Sequence, residues 1–153
     1  MTIDQFIVKL DNFINNVDDM LLKDAYKYYG LDVSESIATR VRETGMNFTG
    51  NRFSSYSPFT LRKKKAQGKS ILLKNFEDTG DMWRGFGVVS VNRDKTDISI
   101  ILGGKNTDSQ TKIDKNSKAE FYSIIKPSKA EIEDAQKNFI ERFQKKLKLL
   151  FNG

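Results

Sequence analysis

Leu72-Leu73-Lys74-Asn75-Phe76-Glu77-Asp78-Thr79-Gly80-Asp81-Met82-Trp83 is the stretch on which the reading of this chain turns. An apolar approach, Ile71 to Leu73, runs as a short strand into Asp78-Thr79-Gly80. Asp78 or Thr79 can cap a turn there, and glycine allows a sharp bend. Met82 and Trp83 then anchor the turn in apolar contacts. Downstream, Phe86 to Val91 and Ile98 to Leu102 read as strands around a polar turn at 92–97, an antiparallel hairpin closed by Gly103-Gly104. Phe86 and Val88 fall on one face of the first strand, Val89 and Val91 on the other.

Upstream, residues 44–58 form a loop with glycines at 45 and 50, pinned by Phe48, Phe53 and Tyr56. Phe59 to Ala66 forms a short helix bearing Arg62, Lys63, Lys64 and Lys65, ended by Gly68. Ile3, Phe6, Ile7, Leu10, Phe13, Ile14, Val17 and Leu21 recur at helical spacing, so residues 3–22 read as an amphipathic helix packing on the chain's own core. Gly30 is expected to end its continuation. A second helix fits Val33 to Arg42, capped by Ser34 or Asp32.

Gly103 to Lys118 reads as a long polar loop, and Ala119 to Ile125 as a third strand. The last helix opens on a capping box, Ser128 with Glu131, after Pro127. Ile132, Ala135, Phe139, Ile140, Phe143, Leu147 and Leu150 supply one face.

The expected fold is α+β, a small antiparallel sheet packed against long N-terminal and C-terminal helices. One domain spans 1–153: helical over 1–43, loop and basic helix over 44–70, hairpin region over 71–126, and terminal helix over 128–151. At 153 residues the chain can bury roughly 70% of its unfolded surface without staples.

Composition narrows the function. There is no histidine and no cysteine. Ser-His and Cys-His nucleophile pairs are therefore excluded, as is a disulfide framework. No phosphate-binding glycine loop or zinc spacing occurs, so no cofactor and no metal are expected. Asp4, Lys9 and Asp11 interrupt any signal-peptide core, and no apolar run approaches the ~20 residues of a membrane span. The sequon Asn47-Phe48-Thr49 is expected to be idle.

The net charge of +6 is uneven: residues 1–36 hold seven acids against three lysines, −4, leaving +10 for the rest. Such asymmetry suits charged contacts, with nucleic acid or head-to-tail between subunits.

The run from Ile37 to Trp83 resembles the phage virion-morphogenesis family, the tail-completion and head–tail connector proteins of tailed phages. The matching features are Ile37 and Arg40, then Gly45, Gly50, Phe53 and Tyr56, then Lys63 and Gly68. Leu72, Asp78, Thr79, Gly80 and Met82 follow, and then the hairpin. An aromatic strand, Pro127-Ser128 and a terminal helix extend the likeness to about residues 33–150. The chain departs from the family at Gly103 to Lys118, where many members carry a Tyr-Ala…His-x-x-Gly segment.

The resemblance implies an α+β fold and a structural, non-enzymatic role in the virion. The protein would be made in the host cytoplasm and would form a ring in the neck that joins portal and head to tail. Its partners would be further copies of itself, portal or adaptor proteins and tail proteins, with no membrane. Gly50, Tyr56, Asp78, Thr79, Gly80, Met82 and Trp83 are the turn and interface candidates, the last four residues of that set acting as a hinge between loop and hairpin. Arg62 to Lys65 would face packaged DNA in the lumen or an acidic neighbour. Two other readings stand beside it. One is a small basic nucleic-acid-binding protein, resting on the same basic helix and its neighbouring aromatics. The other is an aspartic-type hydrolase built on Asp78-Thr79-Gly80, which needs two such loops and therefore a dimer.

Overall fold

The computed structural model describes residues 2–16, 22–77, 79–93 and 97–152, without the side chains of 4, 6, 10, 13–16, 22–23, 93, 147 and 150–152. The fold is α+β, with six helices and one two-stranded antiparallel sheet among the described residues. The helices are α1 (Ile3–Asn16), α2 (Leu22–Thr39), α3 (Pro58–Ala66), α4 (Asp81–Arg84), α5 (Thr107–Glu120) and α6 (Lys129–Asn152). The strands are β1 (Phe86–Arg93) and β2 (Ile98–Gly104). The sheet packs on α2 and α5, while α6 packs along α2.

The core collects residues distant in sequence. Val33, Ile37 and Val41 meet Phe53, Phe76, Met82, Trp83, Phe86, Ile113, Ile124 and Ala135. Ile37 and Val41 are wholly buried. One helix face, the aromatic loop, the Thr79-Gly80 turn and both later helices thus share a single apolar interior.

Gly30 does not end a helix. α2 runs through it to Thr39, absorbing the separate helix expected over 33–42, and then widens into a π turn over Arg40–Thr44. Ser34 is no cap, since its hydroxyl donates to Leu31 O within the helix (2.9 Å), and Asp32 pairs with Arg142. Glycine serves a packing purpose here. A Cβ at Gly30 would lie 2.7 Å from Ile100 Cγ2 and 2.8 Å from Val88 Cγ2, so the missing side chain lets the hairpin rest on the helix. The π turn ends at Gly45, whose φ of 62° suits glycine.

The hairpin register runs from Phe86 opposite Gly104 to Arg93 opposite Ile98, with an irregularity between Val88 and Ser90. Such a bulge inserts one residue and inverts the side-chain alternation beyond it. Val91 therefore pairs with Ile100 and joins Val88 and Leu102 on the inner face, opposite to the simple alternation of the sequence. Val89 is left half exposed.

Three further expectations are overturned. Ile71 to Leu73 is not a strand, and Leu72 is 85% exposed. The polar loop over 103–118 is mostly helix α5, capped by Asn106, whose side chain accepts from Ser109 N at 2.8 Å. Its inward stripe is Ser109, Ile113 and Glu120, so burial follows helical period while hydrophobicity does not. The third strand over 119–125 is instead the end of α5 and a turn at Phe121 (φ 62°), with Ile124 buried beneath it.

The basic helix and the terminal helix are where the sequence puts them. Ser57 caps α3, with Pro58 in its first turn. The capping box of α6 is reciprocal: Ser128 N donates to Glu131 Oε2 (2.7 Å) and Glu131 N to Ser128 Oγ (3.3 Å). Ile140 departs from the expected apolar face and is half exposed. Leu147 and Leu150 lie outside the described side chains, and part of the N-terminal helical pattern, 17–21, lies outside the described residues. On α1 the expected packing is not met at Ile3 and Ile7, which are 78% and 49% exposed; Val8, off that stripe, is 58% exposed.

Candidate functional site

The turn residues and the basic helix, separated by some fifteen positions, meet at one cleft. It encloses about 390 Å3 between α3 and α5. Phe59 and Lys63 stand on one rim, Lys112 and Lys115 on the other, and Phe76 and Met82 line it.

The turn is built from short polar contacts. Gly80 takes a φ of 80° and leads into α4, where Arg84 N donates to Gly80 O at 3.0 Å. The Thr79 hydroxyl donates to Asp81 Oδ2, and Arg84 Nη2 donates both to Thr79 O (3.2 Å) and to Asp81 Oδ1. These contacts from Thr79 and Arg84 hold the Asp81 carboxyl below the ordinary carboxylate range. Met82 and Trp83 are buried at 3% and 8% exposure, so they anchor the turn from within. Trp83 Nε1 donates to Asn75 O at 3.0 Å, and its ring meets Phe86 edge-on at 5.7 Å. Asp78 lies outside the described residues.

Tyr56 ties the aromatic loop to the same place. Its hydroxyl donates to Asn75 Oδ1 (3.2 Å) and accepts from Phe76 N (3.0 Å). Gly50, at φ 83°, closes a separate turn with its N–H on Asn47 O (3.1 Å) and has open space around it. Asn47 centres that turn: its Oδ1 accepts from Thr49 N, Thr49 Oγ1 and Asn51 N. Being buried, the sequon asparagine is occupied by the fold.

The basic helix divides. Arg62, Lys63 and Lys65 are exposed. Lys64 is buried at 4% exposure, so it is turned away from the exposed face that Arg62, Lys63 and Lys65 present. Its Nζ donates to Glu77 O at 2.6 Å and sits 4.7 Å above the Tyr56 ring. A four-residue cationic run on a helix must turn one member inward, and here Lys64 faces the body.

Two charged clasps were missed in the sequence reading. Arg40 donates from Nε to Glu131 Oε1 (2.8 Å), from Nη1 to Met46 O (2.6 Å) and from Nη2 to Lys126 O (3.0 Å). It thereby joins α2, the glycine loop and the start of α6. Arg40 falls with Ile37 among the features of the resemblance and Glu131 in the capping box, but nothing local pairs them. In the second clasp, buried Glu120 accepts from Lys74 Nζ, Ser54 N (3.2 Å) and Ser54 Oγ (2.8 Å). Burial works to raise the Glu120 carboxyl, yet the hydrogen bonds from Lys74 and Ser54 leave it lowered.

Chemically this arrangement positions and holds. Among the described residues, every buried side-chain nitrogen or oxygen has a hydrogen-bond partner, and no three His, Cys, Asp or Glu side chains group as metal ligands. No helix among them is long and apolar enough to cross a membrane. Comparison of the chain with protein-family models, with curated proteins and with solved structures finds no match.

Proposed function

We propose that this chain is a structural virion protein of a tailed phage. It forms an oligomeric ring in the neck that joins the portal and head to the tail, as head–tail connector or tail-completion protein, without enzymatic activity. One observation carries this reading. Ile37, Phe53, Met82 and Trp83, all from the stretch that bears the resemblance, share a single core, and Arg40 is clamped to Glu131 of the terminal helix. These motifs build a scaffold and leave no side chain of that set poised for a reaction. The charge split between residues 1–36 and the rest adds support, because a head-to-tail interface needs two unlike surfaces.

The test is quantitative mass spectrometry of purified virions of the encoding phage, scaled to the portal subunit. A copy number comparable to the portal is expected. Absence from the particle would reduce the resemblance to a likeness of architecture.

A second reading, a small nucleic-acid-binding protein, is favoured by the exposed Arg62, Lys63 and Lys65 beside the exposed Phe59. It predicts tight binding to DNA that weakens steeply with salt, where a connector binds weakly at most. The hydrolase reading predicts peptide cleavage that Asp78→Asn abolishes.

A further inference from the structure

A second surface, remote from the Thr79-Gly80 turn, lies along α2 and α6. Ala25, Tyr28, Phe139 and Phe143 line an open groove of about 270 Å3, and Arg142, Lys145 and Lys146 border it. Its walls are apolar and its border is cationic. Arg142 is held by Asp32 (2.8 Å), while farther along α6 Lys145 is exposed and Lys146 is partly buried at the groove's border.

The same chain offers a helix of matching character. On α1, Ile3 and Ile7 are one turn apart on one stripe, Asp11 continues that stripe, and Val8 lies beside it. Ile3, Ile7 and Val8 are 78%, 49% and 58% exposed, an uncommon amount of aliphatic surface on one short helix. Residues 1–19 hold four aspartates against one lysine, whereas residues 137–148 hold five cations against one glutamate. The N-terminal segment is net acidic where the groove is basic, and α1 and the groove both present apolar area to solvent.

We propose that the groove between α2 and α6 receives the α1 helix of a second copy of this chain. Ile3 and Ile7 of this N-terminal arm cover Phe139 and Phe143, and Asp11 on the same stripe faces Lys145 and Lys146. Arm and groove are different surfaces of one molecule, so the contact is heterologous and repeats from copy to copy, closing into a ring when the rotation allows. The inference deepens the ring reading by naming the subunit contact, and it holds or fails whether or not the protein is found in virions.

The chain has no cysteine, which makes cross-linking clean. An Ile7→Cys chain carrying a mass tag is mixed with an untagged Lys146→Cys chain and oxidised. The mixed cross-link is expected to exceed both same-site cross-links. Adding Lys145→Glu to the second chain should cut its yield several-fold, and raised salt should do the same. Circular dichroism melts of each variant establish that it is folded. Two results overturn the proposal. One is a doubly substituted Ile7→Cys/Lys146→Cys chain that closes on itself at high dilution, which makes the groove's occupant the chain's own arm. The other is a folded monomer by light scattering with no mixed cross-link at tens of micromolar. Virion mass spectrometry is independent of both.

Discussion

Arg40 Nε lies 2.8 Å from Glu131 Oε1, joining positions 91 residues apart, with the two side chains only 15% and 10% exposed. Removing one member of a buried pair strands the other charge, a loss of about 3–5 kcal/mol. Arg40→Ala should show that loss in urea denaturation. Arg40→Lys should recover only part of it, because one ammonium cannot span Glu131, Met46 O and Lys126 O together. A double-mutant cycle with Glu131→Gln isolates the pair. A coupling near zero would mean the clasp is incidental to stability.

Gly30→Ala separates local propensity from packing. In an open helix the change would stabilise by about 1 kcal/mol. Against Ile100 and Val88 at 2.7 and 2.8 Å it must force the hairpin off the helix. Overpacking of this kind costs about 1–3 kcal/mol, so a net loss is expected. In an Ile100→Ala background the penalty should shrink, since one of the two clashing methyls is gone and only that of Val88 remains. A higher melting temperature for the single variant would refute the contact.

Gly80 sits at φ 80°, where a β-branched side chain is strained by about 1–3 kcal/mol. Gly80→Val should unfold or loosen the turn that seats Met82 and Trp83, and the proposed ring assembly should be lost with it. The chain's one tryptophan makes the effect visible. Trp83 emission should shift to the red, while Gly50→Val, strained likewise at φ 83° but in the separate turn centred on Asn47, should leave it unchanged.

Glu120 makes stability depend on acid. Its carboxyl is lowered in the fold by Lys74 and Ser54, against the effect of burial. A group with a depressed folded value stabilises above its unfolded value, about 4.3, and loses that contribution as pH falls through the folded one. Melting temperature should therefore drop more steeply below about pH 4.3 in the wild type than in Glu120→Gln. The variant should also be less stable at neutral pH. Parallel curves would refute the linkage.

Phe121 is 95% exposed and has a φ of 62°, so it bears left-handed strain without burial in return. Phe121→Gly should stabilise the protein by relieving that strain, by about 1 kcal/mol at most. A loss of stability instead would show that the ring packs in solution.

Elements whose burial pattern coincides with their hydrophobic pattern were legible in the sequence. The capping box of α6, the short basic helix α3, the two strands and the glycine turn at 79–80 were all readable locally. α5 was not, because its buried stripe is a serine, an isoleucine and a glutamate, and the carboxylate is satisfied only by Lys74 and Ser54 from elsewhere. Gly30 was misread for a related reason: a glycine that ends a helix and one that admits a neighbouring hairpin look alike until the neighbour is in place.

The sequence by itself determined the class of the fold, the absence of histidine and thiol chemistry, and the opposition of an acidic first quarter to a basic remainder. These are properties of composition and of local period, which each segment carries alone. Only the tertiary structure decided that Lys64 is interior, that Val91 faces inward past a bulge, and that Arg40 finds Glu131. Each of those depends on a partner many residues away, and desolvation gives such a partner its worth only after the chain has closed around it.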